Sequence, residues 1–209
     1  MKILRNFAVF EGLDGSGTTT QMEILEKTLS MGPGPQPLLF KTFEPTDSSI
    51  GRLLRQGMSG EIRFDSRTIA FLFAADRSEH LYGSGGIEEK CSQGKLVVCD
   101  RYLFSSLVYQ GITCGEELPC NLNRDFPLPE LVLFFDLDPE TAQKRMDSRS
   151  HRDIYEYLEF QIKVRERYKA ILQKYSSDIR IETIDASLSK EEVSALVWRS
   201  LGKMPIFRR

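Results

Sequence analysis

Phe10-Glu11-Gly12-Leu13-Asp14-Gly15-Ser16-Gly17-Thr18-Thr19-Thr20-Gln21 is the stretch whose reading decides the fold. It follows the apolar run Phe7-Ala8-Val9-Phe10 and precedes Met22, Leu25 and Leu29 at helical spacing. Strand, glycine loop and helix in that order are the setting a phosphate-binding loop requires. Gly12, Gly15 and Gly17 let backbone N–H groups turn inward, where they and the positive end of the helix dipole can hold a polyphosphate. The P-loop pattern G-x-x-x-x-G-K-S/T is kept at Gly12, Gly17 and Thr19, but Thr18 stands at the lysine position. The cradle is therefore present without its mobile cation.

Outward from the loop, strands and helices alternate. Strands are expected over 5–10, 38–43, 95–100, 131–136 and 179–184. Helices are expected over 18–31, from Ile50 to the glycines at 57 and 60, over 66–82, over 101–110, from Pro139, up to about Tyr175, and over 190–201. Gly32-Pro33-Gly34-Pro35 stops the first helix, and residues 112–130 read as loop. The pattern predicts an α/β protein with a five-stranded parallel sheet flanked by helices, whose ligands sit at the carboxyl ends of the strands. Two strands end in aspartate there, Asp100 and Asp136. Either could be the acidic partner of the loop, holding Mg²⁺ with the hydroxyl of Thr19. Asp100 is followed directly by Arg101, so an acid and a base stand together.

The bulk properties narrow the class. With 209 residues the chain is expected to form a single domain, 1–209, with a full core. A net charge of −2 argues against a general nucleic-acid or membrane-surface partner. No segment has signal-peptide or membrane-span character, so a cytoplasmic protein is expected. The four cysteines lack zinc-ligand spacing and read as free thiols. Arg145, Arg149, His151, Arg152 and Asp153 form a charged patch after the fourth strand.

Several ordered motifs together resemble the thymidylate kinase family along nearly the whole chain. They are the glycine loop, Glu44-Pro45, Phe71-Leu72-Phe73-Ala74-Ala75-Asp76-Arg77, and Asp100-Arg101-Tyr102. Ser105-Ser106-Leu107-Val108-Tyr109-Gln110-Gly111 and Asp153-Ile154-Tyr155-Glu156 with Val164-Arg165 and Tyr168 follow. The resemblance implies a P-loop kinase fold with a mobile lid at about 145–153 and transfer of a phosphoryl group from ATP to dTMP with Mg²⁺, in a homodimer. It implies that Gly12, Asp14, Gly15, Ser16, Gly17, Thr18, Thr19 and Thr20 hold ATP, with Thr19 and Asp100 at the metal. Phe73 would stack on thymine, Arg77 and Gln110 bond its polar edge, Tyr109 pack on the deoxyribose and Asp14 meet its 3′-hydroxyl. Arg55 and Arg101 would hold the acceptor phosphate, with Ser105 beside them. Phe43, where the family has arginine, and Thr18 depart from the pattern by removing positive charge. They match a subclass that keeps its catalytic arginine in the lid, here Arg149 or Arg152. The alternative to a working kinase is a catalytically weak or inactive nucleotide-binding protein on the same fold.

Overall fold

The computed structural model describes residues 2–31, 36–146 and 158–208. Its five strands are β1 (Ile3–Gly12), β2 (Leu39–Phe43), β3 (Leu96–Asp100), β4 (Leu128–Asp136) and β5 (Arg180–Asp185). They form one parallel sheet in the order β2-β3-β1-β4-β5. The helices are α1 (Thr18–Met31), α2 (Ser49–Met58), α3 (Ser66–Tyr82), α4 (Ile87–Ser92), α5 (Leu103–Thr113) and α6 (Glu117–Asn123), then α7 (Pro139–Met146), α8 (Leu158–Tyr175) and α9 (Lys190–Leu201). None of the described helices is long and apolar enough to cross a membrane.

The expected α/β architecture is present, because the central strands are apolar on both faces. Phe7 to Phe10, Leu96 to Cys99 and Leu131 to Phe135 are buried almost without remainder, as parallel strands sandwiched between helices must be. Each large side chain withdrawn from water contributes about 1.5–3 kcal/mol. α1 packs on α9 and on the sheet, while α5 is surrounded by α3, α6 and α8. Phe104 meets Tyr175 edge-on, and Tyr168 lies against Phe134.

Two sequence expectations are corrected. Residues 112–130 are not simply loop: α5 continues to Thr113, α6 occupies Glu117–Asn123, and β4 already begins at Leu128. The helix expected from Arg101 starts at Leu103 instead, because Arg101 takes a left-handed conformation with φ 70°. That kink turns the chain sharply between β3 and α5.

Strand order places β1 between β3 and β4, so the chain leaves β1 at the point where the sheet's connections change direction. The crevice outside that point is where such sheets take ligands, and the glycine loop fills its floor. Gly17 has φ 94°, a conformation only glycine takes cheaply. Gly51 is needed for a different reason: a Cβ there would lie 1.9 Å from the Thr46 carbonyl oxygen. α2 thus presses directly on the loop carrying Glu44, and the loop is tied from α3 as well. Asp76 accepts from the Thr46 N–H (2.7 Å) and from the hydroxyls of Thr46 (2.6 Å) and Ser48 (2.9 Å). Gly51→Ala should lower stability by about 1–3 kcal/mol, the range for overpacking. Urea unfolding checks this; an unchanged midpoint would mean that α2 shifts away without cost.

Candidate active site

The glycine loop opens into a cleft of about 920 Å³ lined by residues 13–23, Lys41 to Glu44, Asp100, Arg101, Arg145, Leu188 and Lys190. Asp14 to Thr20 of the expected ATP set line it; Gly12 lies just behind, where a Cβ would meet Ser16 Oγ at 2.6 Å. A second cavity of about 160 Å³ adjoins it, lined by Pro45, Met58, Phe73, Arg77, Ser105, Tyr109 and Gln110. Asp14, Glu44 and Arg101 border both. Two ligands seated in these cavities would meet at Asp14 and Arg101.

The sequence favours Asp100 over Asp136 as the acid that serves the loop, and the ion pairs place the two differently. Asp136 faces α8, where Arg165 donates to its two oxygens at 2.6 and 3.1 Å and Lys169 lies at 3.4 Å. Asp100 faces the glycine loop: Thr19 Oγ1 donates to its Oδ2 at 2.9 Å and Thr18 Oγ1 at 3.1 Å. Thr18 therefore does more than lack a charge, since its hydroxyl is bonded to the acid that borders the cleft. Burial pushes the Asp100 carboxyl above its ordinary value, opposed by Arg101 and the two threonine hydroxyls. Adjacent hydroxyl and carboxylate oxygens are the hard donors that Mg²⁺ prefers, so Thr19 and Asp100 fit that ion.

Arg101 is held on several sides. Its Nη2 donates to Asp14 Oδ1 at 2.5 Å, and its Nη1 donates to Ser105 Oγ at 3.2 Å and to the Tyr168 hydroxyl at 3.4 Å. The guanidinium carbon lies 5.4 Å from the centre of the Tyr109 ring, an attractive placement for a cation on an aromatic face.

The smaller cavity has an apolar side and a polar end. Phe73 is half-buried and belongs to the cavity wall, whereas Ile69 and Asp76 on the same helix are buried. Arg77 is 1% exposed. Its Nε donates to Glu44 Oε2 at 2.9 Å, its Nη2 to Ser106 Oγ at 3.1 Å, and its Nη1 to Asn123 Oδ1. The rings of Tyr102 and Phe126 flank it. Gln110 is likewise 1% exposed, yet neither its amide nitrogen nor its amide oxygen has a partner. A buried, unsatisfied amide costs about 1–3 kcal/mol unless something pairs with it.

Other expected residues are placed less simply. Arg55 lines neither cavity: its Nη1 donates to the Pro45 carbonyl and its Nη2 to Asp47 Oδ1, at 2.7 and 2.9 Å. Arg149 and Arg152, with most of the expected lid, lie outside the described residues. Arg145, at the end of α7, borders the cleft and donates to the Ala186 carbonyl at 3.1 Å. Phe43 is exposed at the cleft edge.

Sequence reasoning assigned no role to Glu11 as a side chain, to Ser106, or to Asn123. Glu11 is fully buried at the end of β1. A carboxylate directly after four apolar strand residues was the available signal, because a buried charge requires partners. Asn123 carried no such signal, since it lies in the stretch read as loop. The four cysteines are free. Glu44, His80 and Cys99 place ligand atoms within 4.8 Å of one another, but Glu44 is committed to Arg77, and His80 bonds both Glu44 and Thr42.

Comparison with known proteins shows the family of the chain. The family profile described as thymidylate kinase matches residues 10–197. A protein from Treponema pallidum that carries the thymidylate kinase name is 41% identical over 214 residues, covering 100% of this chain and 99% of its own length. Relatives so named from Methanocaldococcus jannaschii and Pyrobaculum aerophilum are 38% and 36% identical, covering 95% and 97% of this chain and 97% and 99% of their own lengths. With its P-loop on a five-stranded parallel sheet and a profile match over nearly its whole length, the chain belongs to the thymidylate kinase family.

Proposed function

We propose that the chain transfers the γ-phosphoryl group of ATP to dTMP, giving dTDP for dTTP synthesis. The observation that carries the reading is the pair of cavities meeting at Asp14 and Arg101, one over a phosphate cradle and one ending in the unpaired amide of Gln110. A thymine edge offers an N–H between two carbonyls. Gln110 presents a donor and an acceptor that such an edge satisfies, with Arg77 beside it as a further donor.

In this reading ATP lies in the larger cleft with its phosphates on the backbone of residues 14–20. Thr19 and Asp100 would hold Mg²⁺, which when bound draws charge from the donor's phosphates. Phe73 stacks on the base of dTMP, Tyr109 packs on its sugar, and Asp14 accepts from its 3′-hydroxyl. Arg101, beside Ser105, holds the acceptor phosphate at the meeting point. Arg55 can join it by releasing Asp47. The attacking oxygen is already an anion, so no general base is needed. The rate comes from alignment and from neutralising charge. The further cation is Arg149 or Arg152 of the lid. A single-domain protein acting as a cytoplasmic homodimer on small nucleotides, with no nucleic-acid or membrane partner, belongs to the same proposal.

The test is a coupled assay of ADP formation with MgATP and each of dTMP, dCMP and dGMP. Turnover is expected with dTMP alone; equal rates with all three would remove the role given to Gln110. Phe73→Ala should weaken dTMP binding by about 1–3 kcal/mol, the scale of a base stacked on an aromatic ring, with ATP binding intact. Calorimetric titration reads both, and equal losses for the two nucleotides would make Phe73 a packing residue only.

A further inference from the structure

Beneath Arg101 lies an acid that the account above does not use. Glu11, fully buried, is reached from two helices, the start of α5 and the middle of α8. The Tyr102 N–H donates to its Oε1 at 2.9 Å, and the Ser105 N–H reaches the same oxygen at 3.4 Å. Its Oε2 accepts from Ser105 Oγ at 2.7 Å and from the Tyr168 hydroxyl of α8 at 2.9 Å. Those two hydroxyls are 2.8 Å apart, and both are the acceptors that Arg101 Nη1 donates to.

Each hydroxyl has one proton and two lone pairs, while a carboxylate can only accept. With Glu11 ionised, both protons are drawn to Oε2 and both hydroxyls turn lone pairs toward the guanidinium. We propose that Glu11 is a positioning residue for phosphoryl transfer: its carboxylate fixes the Ser105 and Tyr168 hydroxyls as acceptors for Arg101, and so holds Arg101 against Asp14 at the acceptor phosphate. This rests on the role given to Arg101 above. Neutralise Glu11 and one hydroxyl proton is free to point at a cation, which loosens the Arg101 seat without emptying it.

The surroundings make this charge conditional. Burial raises the Glu11 carboxyl to about 7, against the opposing pull of Ser105, Arg101, Tyr168 and the Tyr102 N–H. The other titratable groups around it are Tyr102 and Tyr109 of the β3–α5 region, Cys99 of β3 and Tyr168 of α8. All four are pushed up by burial, away from neutrality. A folded-state value above the ordinary carboxyl value means that Glu11 is neutral below about pH 7 and ionised above it. The contribution to catalysis should therefore be gained as pH rises.

Glu11→Gln tests the idea at constant shape. The amide oxygen can take both backbone N–H groups, while its NH₂ donates where the carboxylate accepted, reversing the polarity seen by the hydroxyls. The expected result is a fall in kcat of about ten- to a hundredfold, the equivalent of one or two charge-assisted hydrogen bonds, with KM for ATP unchanged. The ratio of wild-type to variant rate cancels the titration of the acceptor's own phosphate, and it should climb through pH 7 and then level off. Tyr168→Phe removes one of the two hydroxyls and is expected to lower kcat several-fold, which keeps the question answerable if Glu11→Gln does not fold. Arg101→Ala is assayed alongside. If it abolishes turnover while Glu11→Gln and Tyr168→Phe leave kcat untouched, Glu11 serves packing only and the inference is overturned, while the reading of Arg101 stands. If Arg101→Ala itself keeps full activity, both fall.

Discussion

Alanine at Arg149 or Arg152 is expected to cut phosphoryl transfer by at least about a hundredfold, since an arginine reaching the transferring phosphate can contribute on the order of 10³–10⁵ in rate. Thr18 replaces the lysine that would neutralise charge between the β- and γ-phosphates, and its hydroxyl is spent on Asp100. Among the described residues, the cations lining the cleft are Lys41, Arg101, Arg145 and Lys190. Lys41 pairs with Glu26 at 2.6 Å, Arg101 is seated on Asp14, and Arg145 is bonded to the Ala186 carbonyl. The loop itself offers no mobile cation, and in the proposed reading the lid arginines supply one, with Lys190 of the cleft lining as the alternative source. The loss should appear in kcat with dTMP affinity nearly unchanged, the mark of an interaction made only in the transition state. Thr18→Lys should restore part of it. Single-turnover rates of the lid variants, alone and with Thr18→Lys, measure this; full activity in both lid variants would move the role to Lys190 or Arg145.

Arg101→Ala should lower kcat by about 10²–10³, comparable with the loss of one preorganised donor to a developing charge. Its guanidinium stands where the two cavities join, and Asp14, Ser105, Tyr168 and the Tyr109 ring keep it there before any substrate arrives. An arginine already ordered loses little further freedom in the transition state. The fold should survive, since Arg101 and Asp14 keep 21% and 32% of their side-chain surface exposed. Circular dichroism melts beside steady-state kinetics separate the two effects. A variant that is unfolded at assay temperature would show a structural arginine instead.

The sequence is most legible where one residue type has one physical consequence. Apolar runs marked the buried strands, and Gly12, Gly15 and Gly17 marked the loop. Pairing between distant elements was not legible. Asp100 and Asp136 both end strands, and Arg101 beside Asp100 favoured it in the sequence, but the partners that separate the two, Arg165 on α8 and Thr18 and Thr19 on α1, come from distant elements. α6 was hidden by its own composition: Pro119 sits in its first turn, where the missing N–H has no intrahelical role, so a helix-breaking residue concealed a helix. Pro129 disguised the start of β4 in the same way, opposite Leu4 of β1. The left-handed Arg101 gave no warning either, because arginine has no special leaning toward that conformation. Of the proposed site, the family resemblance of the sequence named Asp14, Phe73, Arg77, Arg101 and Gln110. The supports behind them, Glu11, Ser106 and Asn123, emerge only when the chain is folded.

The claim that ties these parts together is that phosphate passes between the two cavities. A single turnover with γ-labelled ATP, Mg²⁺ and dTMP tests it most directly. Label is expected in dTDP, dependent on both dTMP and the metal. Tight calorimetric binding of both nucleotides with no label transferred, and transfer switched on by Thr18→Lys, would contradict it and leave a nucleotide-binding protein built on a kinase fold.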